Sequence, residues 1–134
     1  MTEAEITQYI AKTFPNAEAV MADGNTFFFY GAERMMPFST LVTNDLYDQV
    51  SNLNRPGVFR LNMGISKETF ISTPGVTEAQ HDFTALDKLM PHPAYGQMFW
   101  VCVLNPGAAT SDLARNLLAE AYALAEKRQS KRQG

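Results

Sequence analysis

Cysteine is nearly missing from this chain. Cys102 is the single one in 134 residues, which excludes an internal disulfide framework and any multi-cysteine zinc site. Histidine is scarce too, with only His81 and His92, so few groups remain for a metal and none is assigned. No apolar run approaches the roughly 20 residues needed to span a bilayer; the longest, residues 98–104, has the length of a strand. The start of the chain carries Glu3 and Glu5 in place of a basic region followed by an apolar one. No export signal is read there, and with a free cysteine the expected compartment is the cytoplasm. Motifs that announce chemistry are absent as well. There is no phosphate-binding loop, no GxGxxG, no GxSxG and no HExxH, and no cofactor is assigned.

Positive charge is thin in the body of the chain. Lys127, Arg128, Lys131 and Arg132 sit together at the end, and residues 1–126 hold 7 basic against 14 acidic residues, a balance of −7. An acidic body repels phosphate, and phosphate neutralisation supplies most affinity for duplex nucleic acid. Nucleic acid is therefore not an expected partner. What is present is an ordinary globular balance, 46% hydrophobic and 19% charged, enough apolar mass to offset chain entropy. The length suits one domain, expected over residues 1–128, with residues 129–134 as a frayed basic tail.

Thr2-Glu3-Ala4-Glu5 has the form of a capping box, and Ile6, Tyr9, Ile10 and Thr13 follow at helical spacing until Pro15; a helix is predicted over residues 3–13. Residues 18–21 and 26–30 read as strands of a hairpin about Asp23-Gly24-Asn25, and residues 38–43 as a third strand. Asn44 or Asp45 is placed to cap a short helix through residue 50. In residues 58–65, Phe59, Leu61, Met63 and Ile65 fall on one face and Val58, Arg60, Asn62 and Gly64 on the other, as a half-buried strand requires. Ser66 caps a helix through residue 72, and residues 84–90 read as another. Residues 98–104 are apolar on both faces and form a covered central strand. Thr110 or Ser111 opens a closing helix to about residue 128, with Leu113, Leu117, Ala121 and Leu124 as its stripe, widened by Leu118 and Ala125. Hairpins and short connections favour an antiparallel sheet, so the fold class is α+β: about four or five strands packed by N- and C-terminal helices.

Phe27-Phe28-Phe29-Tyr30-Gly31, Pro37-Phe38-Ser39-Thr40-Leu41-Val42-Thr43, Asn54-Arg55-Pro56-Gly57-Val58-Phe59-Arg60-Leu61-Asn62, His92-Pro93-Ala94-Tyr95-Gly96 and Trp100-Val101-Cys102-Val103-Leu104-Asn105-Pro106 stand in this order along the chain. The series resembles the bacterial domain-of-unknown-function family 6194 from about residue 3 to residue 128. That resemblance implies a small α+β domain and no particular activity. A looser similarity reaches the YjbR/MmcQ-like proteins, through the order of elements, Trp100 on the late strand and Tyr122 on the closing helix. It implies DNA binding by analogy of fold, a weak warrant for function.

Arg60 and Asn62 share a strand face, where a guanidinium fork and an amide can hold a carboxylate or phosphate. Arg55 in the preceding turn can reach that face or cap the segment before it. His92 and Tyr95 lie in a loop stiffened by Pro91 and Pro93. These five residues are the candidate ligand-binding set, and no catalytic residue is assigned. The expected function is a non-catalytic binding module with an anion-favouring polar site, its partner an anionic small molecule or a protein segment. Two rivals stand beside it: nucleic-acid binding by YjbR-like analogy, and an enzyme using His92 as general acid or base. Asp45 and Asp48 fall on one turn of the expected short helix, and nothing marks them as a catalytic carboxylate pair. Cys102, among apolar neighbours, reads as a small buried hydrophobe.

Overall fold

Residues 1–32 and 34–133 are described by a computed structural model. Eleven residues, Glu3–Thr13, form helix α1, opened by the capping box that Thr2 and Glu5 make. The hairpin follows as β1 (Ala17–Ala22) and β2 (Asn25–Tyr30), then β3 (Ser39–Val42) and β4 (Arg60–Gly64). Helix α2 (Lys67–Ser72) carries Ser66 as its N-cap. Strands β5 (Leu89–Pro91) and β6 (Trp100–Leu104) flank a short 3-10 turn at Gly96–Met98, and α3 (Ser111–Gln133) closes the chain beyond the expected end at Arg128.

The strands form one open sheet in the order β1-β2-β3-β4-β6-β5, every neighbouring pair antiparallel. The fold is α+β, with six strands where four or five were expected. The added strand is β5. Residues 84–90 read as helical from composition, yet Asp87 turns with φ 54° and Leu89–Pro91 pair with Val101–Val103. Pairing with the free edge of β6 overrides helix propensity, which is a weak prior of a few tenths of a kcal/mol per residue. The expected helix after Asn44 is missing for a different reason. Asn44 Oδ1 accepts from the Leu46 amide, Asn44 Nδ2 donates to the Asp23 carbonyl and Asp45 Oδ1 accepts from the Leu53 amide. Short polar side chains here bond the loop backbone and leave no advantage to a helical turn.

Alternation on β4 sorts the sheet into two faces. Leu61 and Met63 lie under α1 and α3, packed with Ile6, Ile10, Phe28, Leu41, Val101, Val103, Leu117 and Leu118. Each such side chain contributes about 1.5–3 kcal/mol on leaving water. Tyr122 of α3 stacks on Phe14 at 4.9 Å and donates to the Pro15 carbonyl, tying the closing helix to the end of the first. On α3 the buried line runs through Ala114, Leu117, Leu118, Ala121 and Ala125, which keeps most of the expected stripe and leaves Leu113 and Leu124 half-buried at its margin. Among the described residues no α-helix packs on the opposite face of the sheet. Loop residues Leu53, Val58 and Phe83 cover part of it, with Val42, Met90, Cys102 and Leu104 beneath them in a second, smaller cluster. The rest of that face is open.

Candidate functional site

Register sets what lies on the open face. Phe27 pairs with Thr40, Thr40 with Asn62, Asn62 with Cys102 and Cys102 with Met90. Directly paired residues point to the same side of a sheet, so one row of side chains crosses five strands. Val42 and Arg60 stand in the next row on one side, Gly64 and Trp100 on the other. The His92 amide donates to the Trp100 carbonyl at 2.9 Å, continuing the pairing one step past β5. A cavity of about 510 Å³ sits over these rows, floored by Thr40, Arg60, Asn62 and His92. Its walls are apolar and aromatic, with Phe27, Tyr47, Tyr95 and Trp100 the largest. That volume falls in the usual range for small-molecule sites, which are mostly apolar with a few placed polar groups.

The floor is an ordered polar network. Arg60 is 1% exposed in mid-sheet. Its Nη1 and Nη2 donate to Asp48 Oδ1 and Oδ2 at 3.1 and 2.7 Å, its Nη1 also to Ser51 Oγ at 2.9 Å, and its Nε to Asn62 Oδ1 at 3.1 Å. Asn62 Nδ2 in turn donates to Thr40 Oγ1 at 2.9 Å. Of the five guanidinium donors, one N–H on Nη2 is left. The expectation of an anion-favouring site needs a cation with charge to spare, and Asp48 neutralises Arg60. Hydrogen bonding from Arg60 also holds the Asp48 carboxyl below its usual range. The carboxylate is the more open partner, its side chain 22% exposed against 2% for Arg60.

His92 is held by its own loop. The amides of Ala94 and Tyr95 both donate to His92 Nδ1 at 3.0 Å. Two donors on one ring nitrogen require its lone pair, so the proton of the neutral ring sits on Nε2. Burial, with the Arg60 guanidinium adding to it, lowers the imidazole pKa to about 4. The ring is therefore neutral at pH 7, with Nε2–H as its free donor and no lone pair to act as a base. Tyr95 packs on the ring at 4.9 Å and Trp100 meets it edge-on at 6.4 Å.

Four of the five sequence candidates, Arg60, Asn62, His92 and Tyr95, line the same cavity. Arg55 does not. Its guanidinium donates to the carbonyls of Ser51, Asn52 and Thr84, which clamps two loops together away from the cavity. Sequence reasoning left Asp48 without a partner, because Asp48 sits in an irregular loop and Arg60 lies twelve positions on, in a central strand of the sheet. It also missed the wall made by Trp100. The available signal was Gly64 opposite Trp100 on β6. A Cβ on Gly64 would lie 2.8 Å from Trp100 Cε2, so the indole occupies this place only because that position has no side chain.

Fold and site together define a small α+β protein with an apolar cavity over a neutralised polar floor. The chain belongs to a family of unknown function (DUF6194), whose family model matches residues 1–134, the whole length. No curated protein and no solved structure matches it. Among the described residues, no helix is long and apolar enough to cross a membrane.

Proposed function

We propose that the chain is a non-catalytic binding module that encloses a small organic ligand in the cavity over β3, β4 and β6. The observation carrying this reading is the state of the polar groups at its floor. Arg60, Asp48, Asn62, Thr40 and Ser51 are bonded to one another, which makes a rigid surface against which a ligand can be oriented. Reactive groups are held out of reaction. His92 has its proton on Nε2 and its other nitrogen occupied, and Asp48 is a weak base tied to Arg60. A general base needs a free lone pair and a pKa near the working pH, and neither group supplies both. The walls supply affinity in the usual way, by burying apolar ligand surface at about 25 cal/mol per Å².

A thermal-shift screen of small aromatic molecules, neutral and anionic, tests this reading. Ala94 lines the cavity at its exposed rim, and Ala94→Trp fills the mouth while leaving the backbone bonds of residue 94 in place. A saturable rise in Tm for at least one compound, abolished in Ala94→Trp, is the expected result. A panel without effect, or effects that persist unchanged in the filled variant, would overturn it.

A further inference from the structure

We infer that the polar end of the ligand is an uncharged, planar donor–acceptor edge of the cyclic-amide kind; this rests on the binding reading above and specifies it. Several floor groups keep hydrogen-bonding capacity, a second Nη2–H of Arg60 and the Thr40 hydroxyl among them; two of these groups, His92 and Asp48, are opposite in kind. His92 is 7% exposed, its Nδ1 is occupied by two amides, and its Nε2–H has no partner among the described residues. It asks for an acceptor. Asp48 accepts from Arg60 on both carboxylate oxygens and from the Val50 amide, and with its side chain 22% exposed it keeps acceptor capacity. It asks for a donor. His92 and Asp48 do not bond each other, yet both line one cavity.

Charge narrows the class further. A carboxylate or phosphate placed here would face Asp48, and an ammonium would face the Nε2–H of His92 and the remaining Nη2–H of Arg60. Neither finds an unpaired counter-ion, because Arg60 and Asp48 already cancel. A neutral ring whose carbonyl meets His92 and whose adjacent N–H meets Asp48 satisfies both groups without adding charge. Flatness fits the walls, since Tyr47, Tyr95 and Trp100 line the cavity and aromatic side chains pack well against a planar ring. A ligand that covers the His92 donor without accepting from it leaves a buried N–H unmatched, the situation in which sites discriminate most strongly.

Calorimetric titration of the full chain with 2-quinolinone, N-methyl-2-quinolinone and 2-naphthoate tests the class. The three probes share a bicyclic body and differ in the edge they present: acceptor with donor, acceptor alone, and anion. The quinolinone is expected to bind at least about tenfold more tightly than either of the others, the span of one good hydrogen bond. His92→Phe, which keeps an aromatic ring of similar size, is expected to lower its affinity about tenfold. Naphthoate binding as tightly as quinolinone, or N-methylation without effect, would overturn the inference. If Ala94→Trp still blocks the compounds that do bind, the cavity reading survives that failure. If no probe and no member of the screening panel binds in a way the filled mouth blocks, both readings fall together.

Discussion

Asp48 and Arg60 are joined by two hydrogen bonds, Nη1 to Oδ1 at 3.1 Å and Nη2 to Oδ2 at 2.7 Å, and so a carboxylate from an irregular loop is clamped to the centre of a β-sheet. The loop has no helix of its own to hold it. Its position over the open face depends on this pair, on Asp45 accepting from Leu53 and on Arg55 reaching Thr84. The cavity is therefore maintained by polar contacts on its loop side and by apolar packing on its sheet side.

Removing one member of the pair leaves the other exposed to the full cost of burial. Asp48→Ala is expected to destabilise the protein by about 3 kcal/mol, the low end for an uncompensated buried charge, because Asp48 is partly open to water. Asp48→Ala with Arg60→Met is expected to cost less than Asp48→Ala alone. Urea unfolding of the two single variants and the double variant gives the comparison, and strict additivity would show that the pair contributes no coupling.

The pH dependence carries a signature of His92. Its pKa falls from 6.5 to about 4 on folding, so between these values the unfolded chain binds more protons than the native one. Stability is then complete above about pH 6.5 and declines as pH falls toward 4, by an amount on the order of 3 kcal/mol. Tm measured across this window is expected to drop, and His92→Phe is expected to flatten the drop.

Asp87 works in a lower window. Its carboxylate accepts from the amides of Gly107, Ala109 and Thr110 and from the Thr110 hydroxyl, at the entrance to α3. These bonds, the Thr110 hydroxyl first, hold its pKa down at about 2. Its contribution is present above the ordinary aspartate value of 3.8 and is lost as pH falls toward 2. Asp87→Ala is expected to cost about 1–2 kcal/mol, as loss of a helix cap does, with hydrogen exchange rising first at residues 107–111.

Gly64→Ala tests the wall of the cavity. The new methyl would meet the Trp100 indole at 2.8 Å, and relieving that overlap is expected to cost about 1–3 kcal/mol. Trp100 is the only tryptophan, so a shift in its emission maximum reports the displaced ring directly. Compounds that bind the wild type are expected to bind this variant more weakly.

An acidic body also predicts a negative result. Residues 1–126 carry 7 basic and 14 acidic side chains, and the chain is expected to form no complex with duplex DNA even at low salt, where phosphate contacts are strongest. A mobility-shift titration at low ionic strength checks this, and a retarded band would restore the nucleic-acid reading.

Much of this fold is legible in the sequence. Strand β4 is legible because Leu61 and Met63 alternate with Arg60 and Asn62, a period of two that suits a strand, although the polar pair is as buried as the apolar one. Helix α1 was legible because Thr2 and Glu5 form their capping box within four residues. Illegible parts depended on distant partners. Residues 89–91 become a strand because β6 offers an unpaired edge, and nothing within their own neighbourhood encodes that. Asp48 has no partner in its own stretch of sequence, and only the folded sheet brings Arg60 to it. The same limit applies to His92. Its prolines announced a stiff loop, while its tautomer is decided by the amides of Ala94 and Tyr95 in a turn whose geometry the prolines alone do not specify.

Cys102 lies in the floor row between Asn62 and Met90, fully buried, with burial pushing its thiol up to about 12. It is the chain's only sulfhydryl, and on its face of the sheet it is covered by Leu53 and Phe83 from the loops, so reagent reaches it when those loops lift. Its alkylation rate therefore works as a native-state clock for loop opening over the sheet.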